Sequence, residues 1–225
     1  MKISVLIPTY NEAKEIGPLI REIKSHNLDV LVVDDGSQDN TFQIARDAGA
    51  VVLRNQSNIG KGASLSRGFR YCLEKDYDAV IAMDGDGQHR PEDLPTFITL
   101  SQSPDNQILI GNRMDRTKTM PWMRIATNRF MSWLISNLAK QKIPDSQCGF
   151  RLIKKEVLEK LNLVTNKYEI ESELLIKAAR LGYKIRSVPI KTIYSSEKSR
   201  IHPVLDTLRF FRFVFREIWT TQRKD

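Results

Sequence analysis

The sequence predicts an α/β fold, a mainly parallel sheet flanked by helices, and three observations carry that prediction. Short apolar runs alternate with helical segments at a spacing that suits parallel strands joined by helices. The first, second and fourth of these runs stop abruptly at Pro or at Asp-Gly clusters. Those clusters fall at the carboxyl ends of strands, where sheets of this kind bind ligands. At 225 residues the chain suits one domain, with residues 1–200 expected as the α/β unit and 201–225 as a basic amphipathic helix.

Taken in order, Ile3 to Ile7 is a strand ended by Pro8, and Pro18 opens a helix running to about Lys24. Leu28 to Val33 is a second strand, stopped by Asp34-Asp35-Gly36-Ser37. A helix from about Asn40 to Ala48, closed by Gly49, leads to a third strand over Ala50 to Leu53. Gly60 and Gly62 lead into a helix ending near Glu74, and Ala79 to Met83 runs straight into Asp84-Gly85-Asp86-Gly87. The pattern loosens after Gly111. Pro121 to Lys140 reads as a helix that is apolar around most of its circumference, Gly149 to Ile153 as a strand, Ile170 to Leu181 as a helix and Tyr183 to Val188 as a strand. A basic, aromatic-rich helix begins near Pro203.

Composition narrows the classes. Hydrophobic residues at 41% and charged residues at 28% suit a folded protein rather than a disordered one. Two cysteines, Cys72 and Cys148, make no disulfide framework and lack metal-ligand spacing, so a reducing, cytosolic setting is expected. No signal peptide is visible. The two most apolar stretches do not suit a bilayer span: Trp122 to Ala139 is broken by Arg124 and Arg129, and Val204 to Trp219 by Asp206, Arg209, Arg212 and Arg216. The net charge is +8, and from Lys198 onward seven basic residues stand against three acidic ones. Such a surface attracts nucleic acid, anionic lipid or phosphorylated substrates, and charge alone does not choose among them.

Asp84-Gly85-Asp86 is the sharpest chemical feature. Two carboxylates one residue apart at a strand end suit a hard divalent cation that keeps waters and borrows substrate phosphates. A lone Asp-x-Asp is nonetheless more often a turn. An EF-hand is excluded, because Gln88 and His89 stand where Asp or Asn and then Gly belong, and Pro95 replaces the bidentate Glu. Asp34-Asp35 offers acceptors for a ribose or base, while Asp39 divides evenly between such a role and helix capping. Asn58-Ile59-Gly60-Lys61-Gly62 lacks phosphate-loop spacing, so its glycines are read as packing residues, with Lys61 left within reach of a ligand. His26, His89 and His202 have no metal spacing, and Cys148 has no evident histidine partner.

Read together, four motifs appear in order: Ile7-Pro8-Thr9-Tyr10-Asn11-Glu12, Val32-Val33-Asp34-Asp35-Gly36-Ser37, Met83-Asp84-Gly85-Asp86-Gly87-Gln88-His89 and Asp145-Ser146-Gln147-Cys148-Gly149-Phe150-Arg151. Over nearly the whole chain they resemble glycosyltransferase family 2, with its GT-A fold, and within it the dolichol- or polyprenol-phosphate mannose or glucose synthases. The resemblance implies a GDP- or UDP-linked sugar donor, Mg²⁺ or Mn²⁺, inversion at the anomeric carbon and a polyprenyl phosphate acceptor. It implies that Pro8, Tyr10, Asn11, Glu12, Val33 and Asp35 hold the nucleoside, and that Asp84, Gly85 and Asp86 line the ribose and diphosphate. Asp86 and Gln88, with Asp84 close by, would ligate the metal, and Arg113 would meet phosphate or sugar. The family's Arg-x-x-Gly-x-Ser-Lys phosphate clamp is matched here by Tyr194 to Arg200 without its Arg and Gly, so that Lys198 or Arg200 would supply the charge.

The chemistry asks for little else. A leaving nucleoside diphosphate develops negative charge that a metal and basic side chains stabilise. A phosphate monoester has a second pKa of about 6 and is already an anionic nucleophile near neutral pH. Asp145 is the candidate for positioning the acceptor or removing a proton, with Glu171 and Glu173 behind it; those two read more readily as a solvated helix face. In the last helix Val204, Leu208, Phe211, Phe215 and Ile218 form one stripe, with Phe210 and Phe213 off it and Arg209, Arg212 and Arg216 on another face. That mixture, with Trp122 and Trp133, suits a lipid interface and a peripheral position on the cytoplasmic face of a membrane. No nucleic-acid motif accompanies the basic residues. The competing expectations are a family 2 transferase with a glycan acceptor and a non-catalytic nucleotide-binding module.

Overall fold

The computed structural model describes residues 1–115, 117, 120–191, 209–215 and 217. Seven strands form one sheet: β1 (Ile3–Thr9), β2 (Asp29–Asp34), β3 (Val51–Arg54), β4 (Ala79–Ala82), β5 (Ile108–Asn112), β6 (Arg151–Lys154) and β7 (Ile185–Pro189). Their order is β3-β2-β1-β4-β6-β5-β7. Only β6 runs against its neighbours β4 and β5, so the sheet is mainly parallel, as the alternating pattern requires. β1 is buried along its whole length, which is why it reads as a continuous apolar run rather than an alternating one.

Helices α1 (Ile16–Ser25), α2 (Thr41–Asp47), α3 (Lys61–Glu74), α4 (Leu94–Ser101), α5 (Trp122–Ala139), α6 (Lys155–Leu158) and α7 (Ile170–Arg180) cover the sheet. α1 buries Ile16, Leu19, Ile20 and Ile23, a helical repeat that faces the core. It starts two residues before Pro18, which costs no hydrogen bond because the first-turn N–H groups have no partner inside the helix. α4 and β5 occupy a stretch for which the sequence pattern predicts no element.

α5 is turned against the usual rule. Its inward residues are Asn128, Ser132, Ile135 and Ala139, while Trp122, Met123, Phe130 and Trp133 face outward. The Ser132 hydroxyl accepts the Ser146 N–H at 2.9 Å, so a polar inner contact anchors the helix beneath an aromatic outer face.

A further helix, α8, is described over 209–215. Here the expected stripe is corrected: Phe210, Phe213 and Val214 are buried, whereas Phe211 and Phe215 are exposed beside Arg209 and Arg212. Phe210, Phe213, Val214 and the buried Glu217 lie three, four and seven residues apart and make the packed face. Glu217 fixes it by accepting from Arg180 of α7. Val204, Leu208 and Ile218 lie outside the described residues, as does the expected boundary at residue 200.

Candidate active site

β2, β1 and β4 are adjacent in the sheet, so the loops that follow them stand side by side at one edge. The first two are stapled together. Asn11 N–H donates to Ser37 Oγ at 2.9 Å, Gln38 N–H to Asn11 Oδ1 at 2.8 Å and Glu12 N–H to Thr41 Oγ1 at 2.8 Å. Asp39 accepts from Ala13 N–H and Thr41 N–H, so it serves the staple and the start of α2 together. Burial pushes its carboxyl up, but these bonds outweigh that and hold it below its ordinary value. Pro8 and Val33 sit opposite each other in the β1–β2 pairing, and Val33 is fully buried, so its side chain offers a ligand no surface. Tyr10, Asn11 and Glu12 are half-buried at the strand end.

The two acids after β2 are both engaged. Asp34 Oδ1 accepts Ser37 N–H at 3.0 Å, and its other oxygen lies 3.2 Å from Arg54 Nε. Asp35 Oδ1 accepts from Asn55 Nδ2 and Ile59 N–H, and Oδ2 from Gly60 N–H at 2.8 Å. Asp35 thus shapes the 55–60 loop that delivers Lys61, a role that the spacing alone does not reveal. Gly60 has φ +112°, and a Cβ there would lie 2.5 Å from the Asn166 carbonyl oxygen; a Cβ on Gly62 would lie 2.6 Å from the Lys167 carbonyl. These glycines are packing residues, as expected.

After β4 the paired carboxylates part company. Asp84 Oδ1 lies 2.6 Å from Lys61 Nζ, and Oδ2 lies 3.5 Å from His89 Nε2. Burial alone would raise the Asp84 carboxyl; the Lys61 ammonium and His89 override it and hold it well below the carboxylate range. Asp84, expected near the cation, is thus already paired to a lysine within the protein, with its side chain 28% exposed. Asp86 differs. Its Oδ1 accepts Gln88 N–H at 3.0 Å, it makes no ion pair among the described residues, and burial together with the charge on Asp84 raises its carboxyl.

Lys61 also meets Glu171 Oε1 at 2.7 Å. Burial lowers its ammonium, yet Asp84 and Glu171 together raise it above the usual value. Glu171 and Glu173 are not a solvated face. Glu171 belongs to the site, and the fully buried Glu173 accepts from Val164 and Thr165 N–H and pairs with Lys177. His89 is buried against Phe150 with Nδ1 lacking a hydrogen-bond partner among the described residues.

The Asp145–Arg151 stretch closes the site from behind. A Cβ on Gly149 would lie 2.6 Å from one Asp84 oxygen and 2.8 Å from the other, so only glycine admits that carboxylate. Arg151 donates to the carbonyls of Ser146, Cys148 and Glu171, which locks the loop to α7. Cys148 is packed away, and burial pushes its thiol up to about 12. Arg113 and Asp145 are brought together as a bidentate pair, Nε to Oδ2 at 2.7 Å and Nη2 to Oδ1 at 2.9 Å, with Asp145 wholly buried. Neither its buried position nor its committed oxygens suit Asp145 to remove a proton from an acceptor. Lys198 and Arg200 lie outside the described residues.

Among the described residues no cluster of three or more His, Cys, Asp or Glu side chains forms a closed metal cage. The oxygens of Asp86 and Gln88 nonetheless fit a hard cation that takes its remaining ligands from phosphates and water.

This architecture is that of the GT-A glycosyltransferases. Glucosyl-3-phosphoglycerate synthase from Mycobacterium tuberculosis, solved with Mn²⁺, UDP and glucosyl-3-phosphoglycerate, shares it with a TM-score of 0.71 over 97% of this chain and 79% of that one, at 23% identity. The model for Glycosyl transferase family 2 matches residues 4–162, and the chain belongs to that family. It is 31% identical to UDP-N-acetylglucosamine–dolichyl-phosphate N-acetylglucosaminyltransferase of Methanococcus voltae, with 86% of each chain covered. It is also 31% identical to undecaprenyl-phosphate mannosyltransferase of Micrococcus luteus, covering 84% of this chain and 83% of that one.

Proposed function

We propose that this chain moves a hexosyl group from a GDP- or UDP-linked sugar to a polyprenyl phosphate at the cytoplasmic face of a membrane, on which it sits peripherally. The observation that carries the acceptor half of this reading is the outward aromatic face of α5, with Trp122 77% and Trp133 62% exposed. Tryptophan at such exposure is costly in water and suited to the headgroup region, where its ring is buried and its N–H stays wet. Phe211 and Phe215, beside Arg209 and Arg212, repeat the combination on α8. No helix among the described residues is long and apolar enough to cross a membrane. The names of the relatives from Methanococcus voltae and Micrococcus luteus, both acting on lipid phosphates, support the same acceptor.

In the donor half, Asp86 and Gln88 would hold Mg²⁺ or Mn²⁺, which when bound supplies positive charge to the diphosphate that leaves. The stapled loops carrying Pro8, Tyr10, Asn11, Glu12 and Asp35 form the wall against which a nucleoside would lie. Gly85 lets a ligand approach the strand end without a side chain intervening. The acceptor phosphate needs no general base, since it is anionic near neutral pH. That fits Asp145 being tied to Arg113: the pair orients the loop, while the acceptor brings its own nucleophilic oxygen. Lys198 and Arg200 remain the proposed source of charge for a phosphate clamp.

The test incubates purified protein with Mn²⁺ or Mg²⁺, polyprenyl phosphate in detergent and a panel of labelled GDP- and UDP-sugars. A labelled lipid is expected with at least one donor, lost on adding EDTA and in Asp86→Ala. Full turnover in EDTA would remove the metal from the reading. Transfer to a soluble glycan alone would replace the acceptor, and nucleotide binding without any turnover would leave only a binding module.

A further inference from the structure

Lys61 opens α3, and its ammonium stands between carboxylates from two distant parts of the chain, Asp84 after β4 and Glu171 at the start of α7. Its side chain is only 19% exposed, so it has given up most of its water for these two partners. Glu171 is held in turn: its main-chain carbonyl accepts from Arg151 Nη1, and its side chain lies 4.0 Å from Arg151 Nη2. Asp84 is thereby contacted from within the protein at both oxygens, Oδ1 by Lys61 and Oδ2 by His89, and its side chain is left 28% exposed. Asp86, two residues along, has no such partner among the described residues.

We infer that Lys61 is a positioning residue that withholds Asp84 from the divalent cation, so that Asp86 is the one carboxylate of the pair to ligate it, with Glu171 holding Lys61 in place. This rests on the proposed metal site and assigns the division of labour within it. The reason is electrostatic. Two unpaired carboxylates one residue apart would chelate a cation tightly without any substrate and neutralise most of its charge. With Asp84 paired to Lys61, the site offers the cation one carboxylate. Firm binding then waits for the donor's diphosphate, and the metal keeps charge to place on it.

The test measures Mn²⁺ binding by the electron paramagnetic resonance signal of the free ion, with the protein lacking nucleotide. Lys61→Met should bind Mn²⁺ about tenfold tighter than the parent, because Asp84 is released to chelate. Its need for UDP or GDP to hold the ion should shrink, and its kcat should fall. The double variant Lys61→Met/Asp84→Asn removes one charge of each sign and should return Mn²⁺ affinity to within about threefold of the parent. A Lys61→Met protein with a native circular dichroism melt and unchanged or weaker Mn²⁺ binding overturns the inference. So does a loss of tenfold or more in the double variant, since Asp84 would then be a ligand in the parent. Should Lys61→Met fail to fold, the double variant still decides, because replacing both ends of a buried ion pair by neutral groups is tolerated far better than removing one. Asp86→Ala separates the two levels: undiminished Mn²⁺ binding there sinks the metal site itself, whereas its loss leaves the Lys61 assignment to stand or fall on the other variants.

Discussion

Replacing Gly149 with alanine tests the geometry of the site with a single methyl group. The added Cβ would lie 2.6 Å from one oxygen of Asp84, 2.8 Å from the other and 2.9 Å from the carboxyl carbon, whereas ordinary contact begins at 3.4 Å. Asp84 and the β6 approach must therefore separate by about 0.8 Å, and a packed interior does not absorb that silently. Asp84 cannot swing away freely, because Lys61 holds Oδ1 at 2.6 Å and is itself fixed by Glu171. Overpacking of this kind costs about 1–3 kcal/mol. A displacement near 1 Å at a substrate-positioning group costs on the order of 10²-fold in rate. The expected result is a lower melting temperature together with a kcat/KM reduced by about 10- to 100-fold in the lipid-phosphate assay. Asp84→Ala should mask the change: with the carboxylate gone, adding Gly149→Ala should cost almost nothing further, a coupling that independent sites do not show. A Gly149→Ala protein with parental melting temperature and parental kcat/KM would refute the account of why glycine stands there.

Three further outcomes follow from individual contacts. Arg113→Ala leaves Asp145 buried without its counter-charge, so a loss of about 3–5 kcal/mol in urea unfolding is expected; Asp145→Asn should cost less, because the wholly buried group then carries no charge and its side-chain oxygen can still accept from Arg113. Trp122→Ser and Trp133→Ser together should abolish co-sedimentation with anionic vesicles while leaving the melting temperature within about 2 °C, since both side chains are mostly exposed. Burial raises the Glu173 carboxyl, but Lys177, Thr165 and Val164 outweigh it and hold it below its ordinary value of 4.5. Its stabilisation is therefore fully present above about pH 4.5 and fades as pH falls through the lower folded value. Glu173→Gln should accordingly be destabilised at pH 7 and show a flatter acid limb in melts taken down to about pH 3.

The fold was legible where one local signal decided the element. β1, β2 and β4 are apolar runs cut off by Pro8, Asp34-Asp35 and Asp84, and the chain has no other way to bury such runs than inside a sheet. β5 and α4 were not, because Ile108–Asn112 offers three apolar residues before Gly111, and α4 carries Pro95 and Thr99 in eight residues. The α8 stripe failed for a different reason. Phe210, Phe211, Phe213, Val214 and Phe215 are apolar on both sides of the helix, so periodicity marks two faces. Among the described residues Glu217, reaching Arg180, lies on the face that packs. A helix with apolar residues on two faces reads from sequence as a choice between them, although only one face is packed on the protein.

The candidate site was legible as a list of residues and illegible as a circuit, and the difference lies in pairing. Asp84 and Asp86 look alike in the chain, two acids flanking one glycine. Their chemistry separates only because Lys61 arrives from 23 residues upstream and Glu171 from 87 residues downstream, as their positions give. Spacing cannot carry such information, since α3 and α7 meet β4 through the tertiary fold. The same holds for Arg113 and Asp145, each attractive alone as a phosphate ligand or base and bound to the other in three dimensions. Pairing a charged residue with an internal partner removes it from the reactive set, because a buried pair gives up several kcal/mol of interaction before either member can serve a substrate. Subtracting the paired groups therefore does more than counting the acids. At the end of β4 it leaves Asp86, which makes no ion pair among the described residues.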